Sequence, residues 1–192
     1  MPLTAADKLT LSRIISIAPF TVLFFIDAPW ARPAALGLFI LAAITDYFDG
    51  VLARRHGGTP FGAALDPIAD KLLTGAALLL LVHTGTIADL HVLAALAILL
   101  REIAVSGLRE ALGREGAKMP VTRLAKWKTA AQFLALALLV PGAEVLAAPG
   151  LAALWAAAGL TVWTGVGYGR ATFTKTNRNT DDDIPSPPRG EG

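Results

Sequence analysis

Four aspartates stand within one stretch, DYFDGVLARRHGGTPFGAALDPIAD, which runs from Asp46 to Asp70. Asp46, Asp49 and Ala53 recur at i, i+3 and i+7, the spacing of one helix face. Gly50 lies beside that face, where a missing side chain lets another helix or a phosphate approach the backbone. Arg54 follows one turn later. Asp66 and Asp70, at i and i+4, share a face of a second helix. If the two helices pack antiparallel across the short turn between them, all four carboxylates converge. Such a cluster repels itself, and a divalent cation relieves the repulsion. Hard oxygen donors suit Mg²⁺ or Mn²⁺, and two such ions can share bridging carboxylates. Ions held there can bind a diphosphate and neutralise charge that develops during group transfer. Helix capping, or pairing with Arg54, Arg55 and Lys71, accounts for one or two of the aspartates but not for four. An ion-coupled transporter is the competing function, because carboxylates inside a membrane also build ion pathways.

A second cluster is basic. Arg101 and Arg109 are eight residues apart, roughly two helical turns, and so project toward one side. Arg123, Lys126 and Lys128 add charge at the start of the next helix. Arginine suits a phosphomonoester because its donors form a rigid fork. The competing reading is that these residues anchor the chain to anionic lipid, which fits Arg114 and Lys118 better than the deeper Arg101. Arg101 has Glu102 beside it as a possible partner. The chain contains no cysteine, which removes disulfide and thiolate chemistry. It offers no serine–histidine–acid arrangement and no G-x-x-x-x-G-K phosphate loop. His83 and His91 fall near the membrane surface opposite the aspartates. A formal charge of +2 gives no reason to expect a nucleic-acid partner.

Hydrophobic residues make up 54% of the chain and charged ones only 17%, against about 25% in soluble domains, so the solvent is lipid. The sequence predicts an all-α, polytopic membrane protein with six transmembrane helices. The apolar stretches are Leu9–Ile26, Ala34–Ala53, Phe61–Val82, Leu90–Leu108, Leu124–Val140 and Leu151–Gly167, each near the length a bilayer requires. The first reads as a membrane helix rather than a cleaved leader. Pro67 is expected in the first turn of the third helix, where its missing N–H costs little. The basic segment Arg109–Arg123 is expected to hold an interfacial turn or short helix. With six spans, one side collects Lys8, Arg13, Arg54, Arg55, Lys71, Arg109, Arg114, Lys118, Arg123, Lys126, Lys128, Arg170, Lys175 and Arg178. The other side has Arg32 as its one basic residue, which places both termini in the cytoplasm. The membrane domain is expected over residues 1–170, with a polar, disordered tail over 171–192 in which Asp181, Asp182 and Asp183 form a solvated patch.

The pattern D-x-x-D-G-x-x-A-R followed by G-x-x-x-D-x-x-x-D runs through Asp46, Asp49, Gly50, Ala53, Arg54, Gly62, Asp66 and Asp70. It resembles the signature of the CDP-alcohol phosphatidyltransferase family, and Leu9-Thr10-Leu11-Ser12-Arg13 resembles that family's opening. Asp7-Lys8 replaces an asparagine often found just before the opening. The resemblance implies a six-helix, usually dimeric membrane enzyme with two divalent ions at a cytoplasm-facing site. It implies Asp46, Asp49 and Asp66 as metal ligands, and Asp70 as a ligand or as the base acting on the acceptor hydroxyl. Asp49, Gly50, Ala53, Arg54 and Gly62 would adjoin the CDP group of CDP-diacylglycerol. The stretch from Arg101-Glu102-Ile103 through Ser106 to Leu108-Arg109-Glu110, with Lys126-Trp127-Lys128-Thr129, resembles the bacterial members that make phosphatidylglycerophosphate. That implies sn-glycerol 3-phosphate as acceptor, held by Arg101, Arg109, Arg123, Lys126 and Lys128, at the bacterial inner membrane. Inositol phosphate and serine remain the neighbouring alternatives.

Overall fold

A computed structural model describes residues 4–56, 59–114 and 123–182 of the chain. They form six α-helices: α1 (Ala5–Leu23), α2 (Ala31–His56), α3 (Pro60–His83), α4 (His91–Arg114), α5 (Arg123–Leu139) and α6 (Glu144–Asp182). Each predicted apolar stretch falls mainly within one helix. Helix ends extend past several of the stretches, because backbone hydrogen bonding continues into polar sequence after the apolar run has ended. One expectation is corrected. Pro60, not Pro67, occupies the first turn of α3, and Pro67 lies inside the helix. The backbone of α6 is helical to Asp182. Most of the proposed interfacial segment, residues 115–122, lies outside the described residues, as does the remainder of the tail.

Local chemistry fixes the helix starts. Thr4 caps α1: its hydroxyl accepts from the Asp7 N–H at 3.3 Å while its own N–H donates to Asp7 Oδ2 at 2.9 Å. This is a reciprocal capping box with aspartate in the returning position. Thr59 caps α3 by accepting from the Gly62 N–H at 3.0 Å, with Pro60 as the first helical residue. The two caps are joined, because the Thr59 hydroxyl donates to Asp7 Oδ1 at 2.6 Å. Asp7 is only 1% exposed, and a side chain at Gly62 would run into its carboxylate. The position that departs from the family opening is therefore the bolt between the N-termini of α1 and α3.

The helices pack most extensively in the pairs α5–α6, α1–α2, α1–α3 and α4–α6. Phe20, Leu81, Ile98, Leu139 and Leu154 fill the core, and Ala35, Ala77, Ala94, Ala135 and Ala157 let the backbones come close. At the end away from the aspartates, Arg32 donates from Nε to the Val140 carbonyl at 2.7 Å and lies over the Phe24 ring at 4.2 Å. It ties the start of α2 to the α5–α6 turn, where Gly142 adopts φ 71°.

The distribution of polarity is inverted relative to a soluble protein. Arg13, Lys128, Gln132, Thr161 and Thr164 are buried, whereas Leu79, Leu93, Leu96, Leu100, Ile103 and Trp163 face outward. A soluble surface does not sustain so much exposed apolar area, so the protein associates with the membrane. Among the described residues, only α4 (His91–Leu108) and α6 (Glu144–Gly165) carry an apolar window long enough to cross a bilayer by composition, and Trp127–Leu139 in α5 is shorter. This narrows the expectation of six spans to six helices. α1 carries Asp7, Lys8 and Arg13, and α3 carries Asp66, Asp70 and Lys71, more charge than an apolar window of that length admits.

Candidate active site

Among the described residues, five of the six helices open onto one cavity of about 610 Å³. α1 contributes Arg13, α2 Asp46, α3 Asp70 and Lys71, α4 Arg101, Glu102 and Ser106, and α5 Lys128 and Thr129. Phe39, Leu73, Val105 and Phe133 complete an apolar portion of the wall. The ionic groups are Arg13, Lys71, Arg101 and Lys128 against Asp46, Asp70 and Glu102, an excess of positive charge that favours an anionic ligand.

The cavity thus brings together Asp46, Asp70, Arg101 and Lys128 of the residues singled out in the sequence. Asp46 and Asp70 are both accessible, with the Asp46 side chain 46% exposed. Asp46 is paired with Arg13 Nη1 at 2.5 Å, and Arg13 itself is only 2% exposed. Asp49, Gly50, Ala53 and Arg54 lie on α2, Asp66 on α3, Arg109 on α4, and Arg123 and Lys126 on α5. The side chains of these eight lie outside the described residues. Among the described residues, no group of three or more candidate metal-binding side chains stands together. Gly62 lies against Asp7 and Thr59.

The basic wall is a connected network. Arg101 donates from Nη1 to Glu102 Oε1 at 3.2 Å and from Nη2 to Thr164 Oγ1 at 3.2 Å. The Lys128 ammonium makes a short ion pair with the same Glu102 oxygen. Gln132 Nε2 reaches Glu102 Oε1 at 3.4 Å and Thr161 Oγ1 at 3.1 Å. Among the described residues α6 supplies none to the lining, yet it backs the wall through Thr161, Thr164 and Gly165. The sequence reading passed over Arg13 as chemistry, although an arginine entering an apolar run was the available signal. It saw Glu102 only as a partner for Arg101; the link to Lys128 joins residues 26 apart and exists only in the folded chain.

Outside the apolar run, Asp7 has a perturbed acid. The Thr59 hydroxyl first, and then the Thr4 backbone N–H, hold its carboxyl below the ordinary range by stabilising the charged form.

A family model described as CDP-alcohol phosphatidyltransferase matches residues 3–163. The CDP-diacylglycerol–glycerol-3-phosphate 3-phosphatidyltransferase of Rickettsia bellii is 44% identical over 171 residues, covering 86% of this chain and 93% of that protein. The enzyme of the same name from Cereibacter sphaeroides is 46% identical over 136 residues, covering 70% and 62%. A cardiolipin synthase (CMP-forming) from Oryza sativa subsp. japonica is 38% identical over 187 residues. That match takes in 88% of this chain, which spans 57% of the rice protein's length.

Proposed function

Because the chain belongs to the CDP-alcohol phosphatidyltransferase family, we propose that it transfers the phosphatidyl group of CDP-diacylglycerol to sn-glycerol 3-phosphate, giving phosphatidylglycerophosphate and CMP. The observation that carries the reading is the single cavity in which Asp46 and Asp70 share a wall with Arg101 and Lys128. Carboxylates suit the nucleotide end of the reaction and cations suit an acceptor that carries a phosphate. The relatives from Rickettsia bellii and Cereibacter sphaeroides bear the name of this activity.

Asp46 and Asp70, accessible hard-oxygen donors in one cavity, fit a divalent site, and Asp49 and Asp66 lie on the same two helices. These four would hold Mg²⁺ or Mn²⁺, two ions per subunit, which when bound neutralise the diphosphate and the departing CMP phosphate. Arg13, already paired with Asp46, fixes the orientation of that carboxylate. Gly50, Ala53, Arg54 and Gly62 adjoin the CDP group in this reading. Arg101 and Lys128, with Arg109, Arg123 and Lys126, orient the phosphate of the acceptor. Asp70 takes the proton of the acceptor hydroxyl as its oxygen bonds to phosphorus and the bond from phosphorus to CMP breaks. The apolar wall of Phe39, Leu73 and Phe133 keeps the donor's acyl end in a lipid-like setting.

This reading sets the catalytic domain in residues 1–170 with a polar extension over 171–192. It places the chain in the bacterial inner membrane as a six-span homodimer with both termini and the cavity on the cytoplasmic side. Support comes from the one-sided Lys and Arg distribution and from the burial of Arg13 and Lys128 among outward-facing leucines. The rice relative's name favours a second acceptor class, a phospholipid whose headgroup bears the attacking hydroxyl.

An acceptor panel tests the assignment. Purified enzyme in lipid discs receives CDP-diacylglycerol, Mg²⁺ and one of sn-glycerol 3-phosphate, inositol phosphate, serine or phosphatidylglycerol, with the lipid product identified by mass spectrometry. Phosphatidylglycerophosphate and equimolar CMP are expected. Preferential formation of cardiolipin, or of the serine or inositol phosphate lipid, overturns the acceptor. Solute flux in liposomes without lipid product would make the protein a transporter.

A further inference from the structure

Glu102 lines the cavity between the cations of the basic wall, where as an anion it cannot itself bind a phosphate. Its Oε1 gathers Arg101, Lys128 and Gln132 onto one oxygen, linking α4 to α5. Two contacts to α6 brace this arrangement: Gln132 to Thr161, and Arg101 to Thr164. The network is shielded, with Lys128 5%, Gln132 8%, Thr161 0% and Thr164 6% exposed. Buried charges in such a setting persist only when paired, and the pairing fixes side chains that would otherwise sample many rotamers. An ammonium has three donors, so a bond to Glu102 leaves capacity for an anion in the cavity.

We propose that Glu102 is the positioning residue of the acceptor site. It holds the Lys128 and Arg101 head groups where together they receive the acceptor's phosphate, with Thr161 and Thr164 bracing the network from outside the cavity. The proposal rests on the assignment of that cavity wall to a phosphate-bearing acceptor. A purely structural Glu102 would instead affect stability, or both substrates alike.

The test separates KM from kcat for each substrate in lipid discs. Glu102→Gln should raise the KM for sn-glycerol 3-phosphate about tenfold or more, the scale of a lost charge-assisted bond, with the KM for CDP-diacylglycerol within about twofold of wild type. Glu102→Asp should recover part of the loss. The double variant Glu102→Gln/Lys128→Met should lose clearly less than the product of the two single effects, because residues acting in one network do not add. If Glu102→Gln does not fold, Thr164→Val decides. That variant removes a brace without touching the cavity and should raise the same KM roughly threefold. Unchanged acceptor KM in the folded Glu102→Gln variant, or in Thr164→Val, overturns the proposal, as do equal rises for both substrates or additive effects in the double variant. Wild type run through the acceptor panel distinguishes the two failures. A wild type that prefers serine overturns the acceptor reading and this proposal with it. A wild type that uses glycerol 3-phosphate alongside unaffected variants overturns this proposal alone.

Discussion

Gly165 offers a perturbation of the proposed acceptor wall from α6, whose described residues do not line the cavity. A methyl group added there meets Arg101 Cγ at 3.2 Å and Arg101 Nε at 3.7 Å. Carbon atoms settle at about 3.5–4.0 Å, so the arginine stem must yield by a few tenths of an ångström. Its head group has little freedom to follow, being bonded at 3.2 Å both to Glu102 and to Thr164. Those distances already sit at the long end for N–H···O bonds, and a small displacement takes one of them out of range. Complete loss of a bond to a charged group costs about 1.5–3 kcal/mol. A partial shift in Gly165→Ala should therefore raise the KM for sn-glycerol 3-phosphate roughly two- to fivefold, and the bulkier Gly165→Val about tenfold or more. Stability should move the other way in the alanine variant, because alanine is preferred to glycine in a helix interior by about 1 kcal/mol. Steady-state kinetics with each substrate varied in turn, beside thermal unfolding in the same lipid discs, would show the two effects separately. A folded Gly165→Val enzyme with wild-type KM for the acceptor would refute the reasoning. So would an equal loss for CDP-diacylglycerol, which would mean general distortion and not displacement of Arg101.

The carboxylate reading predicts that Asp46→Asn, Asp49→Asn, Asp66→Asn and Asp70→Asn each lower kcat by roughly a hundredfold or more while the protein still folds. Titration with Mg²⁺ or Mn²⁺ should show weakened ion binding in the first three, and full turnover in excess chelator would sink the reading. Asp7 predicts an acid-sensitive junction between α1 and α3. Its folded-state carboxyl is held below its unfolded value, so its contribution is complete above the unfolded value and is lost as pH falls through the lowered one. The unfolding midpoint of wild type should therefore drop more steeply across that acidic window than that of Asp7→Asn. In the same assay Gly62→Ala should lower the midpoint, and the loss should largely vanish in an Asp7→Ala background, where the carboxylate that occupies the space is gone. A persisting loss would assign Gly62 to something other than Asp7.

Part of the cavity lining was legible because its residues repeat at helical spacing. Asp46 and Asp70 could be assigned to helix faces from their intervals alone, and the cavity brings those two together. The six helices were legible from apolar length, but their ends were not, since a helix stops where hydrogen bonding or a cap stops it. Thr59 with Pro60 marks such a point, and the apolar pattern begins one residue later. Asp7 was set aside because it departs from a familiar motif. Its meaning lies in Thr59 and Gly62, distant in sequence and visible only once α1 and α3 meet. Glu102 illustrates the same limit. Its adjacency to Arg101 was readable, whereas its bond to Lys128 depends on how α4 and α5 are arranged around α6.

The proposed chemistry sits where charge enters apolar sequence. Arg13, Asp46, Asp70 and Lys71 interrupt the apolar runs of α1, α2 and α3, and all four line the cavity. α6 meets the length and composition of a span and, among its described residues, contributes none to the lining; α4 meets it as well, with its charged pair Arg101–Glu102 beyond ten predominantly apolar residues. Hydropathy and catalysis thus compete for the same positions. A helix that must hold a carboxylate at membrane depth gives up apolar length, and recovers its place in lipid by turning that carboxylate inward toward a buried cation, as Asp46 turns toward Arg13. The uninterrupted helix takes the complementary task of support. Its threonines sit one turn apart, and both engage side chains bonded to Glu102.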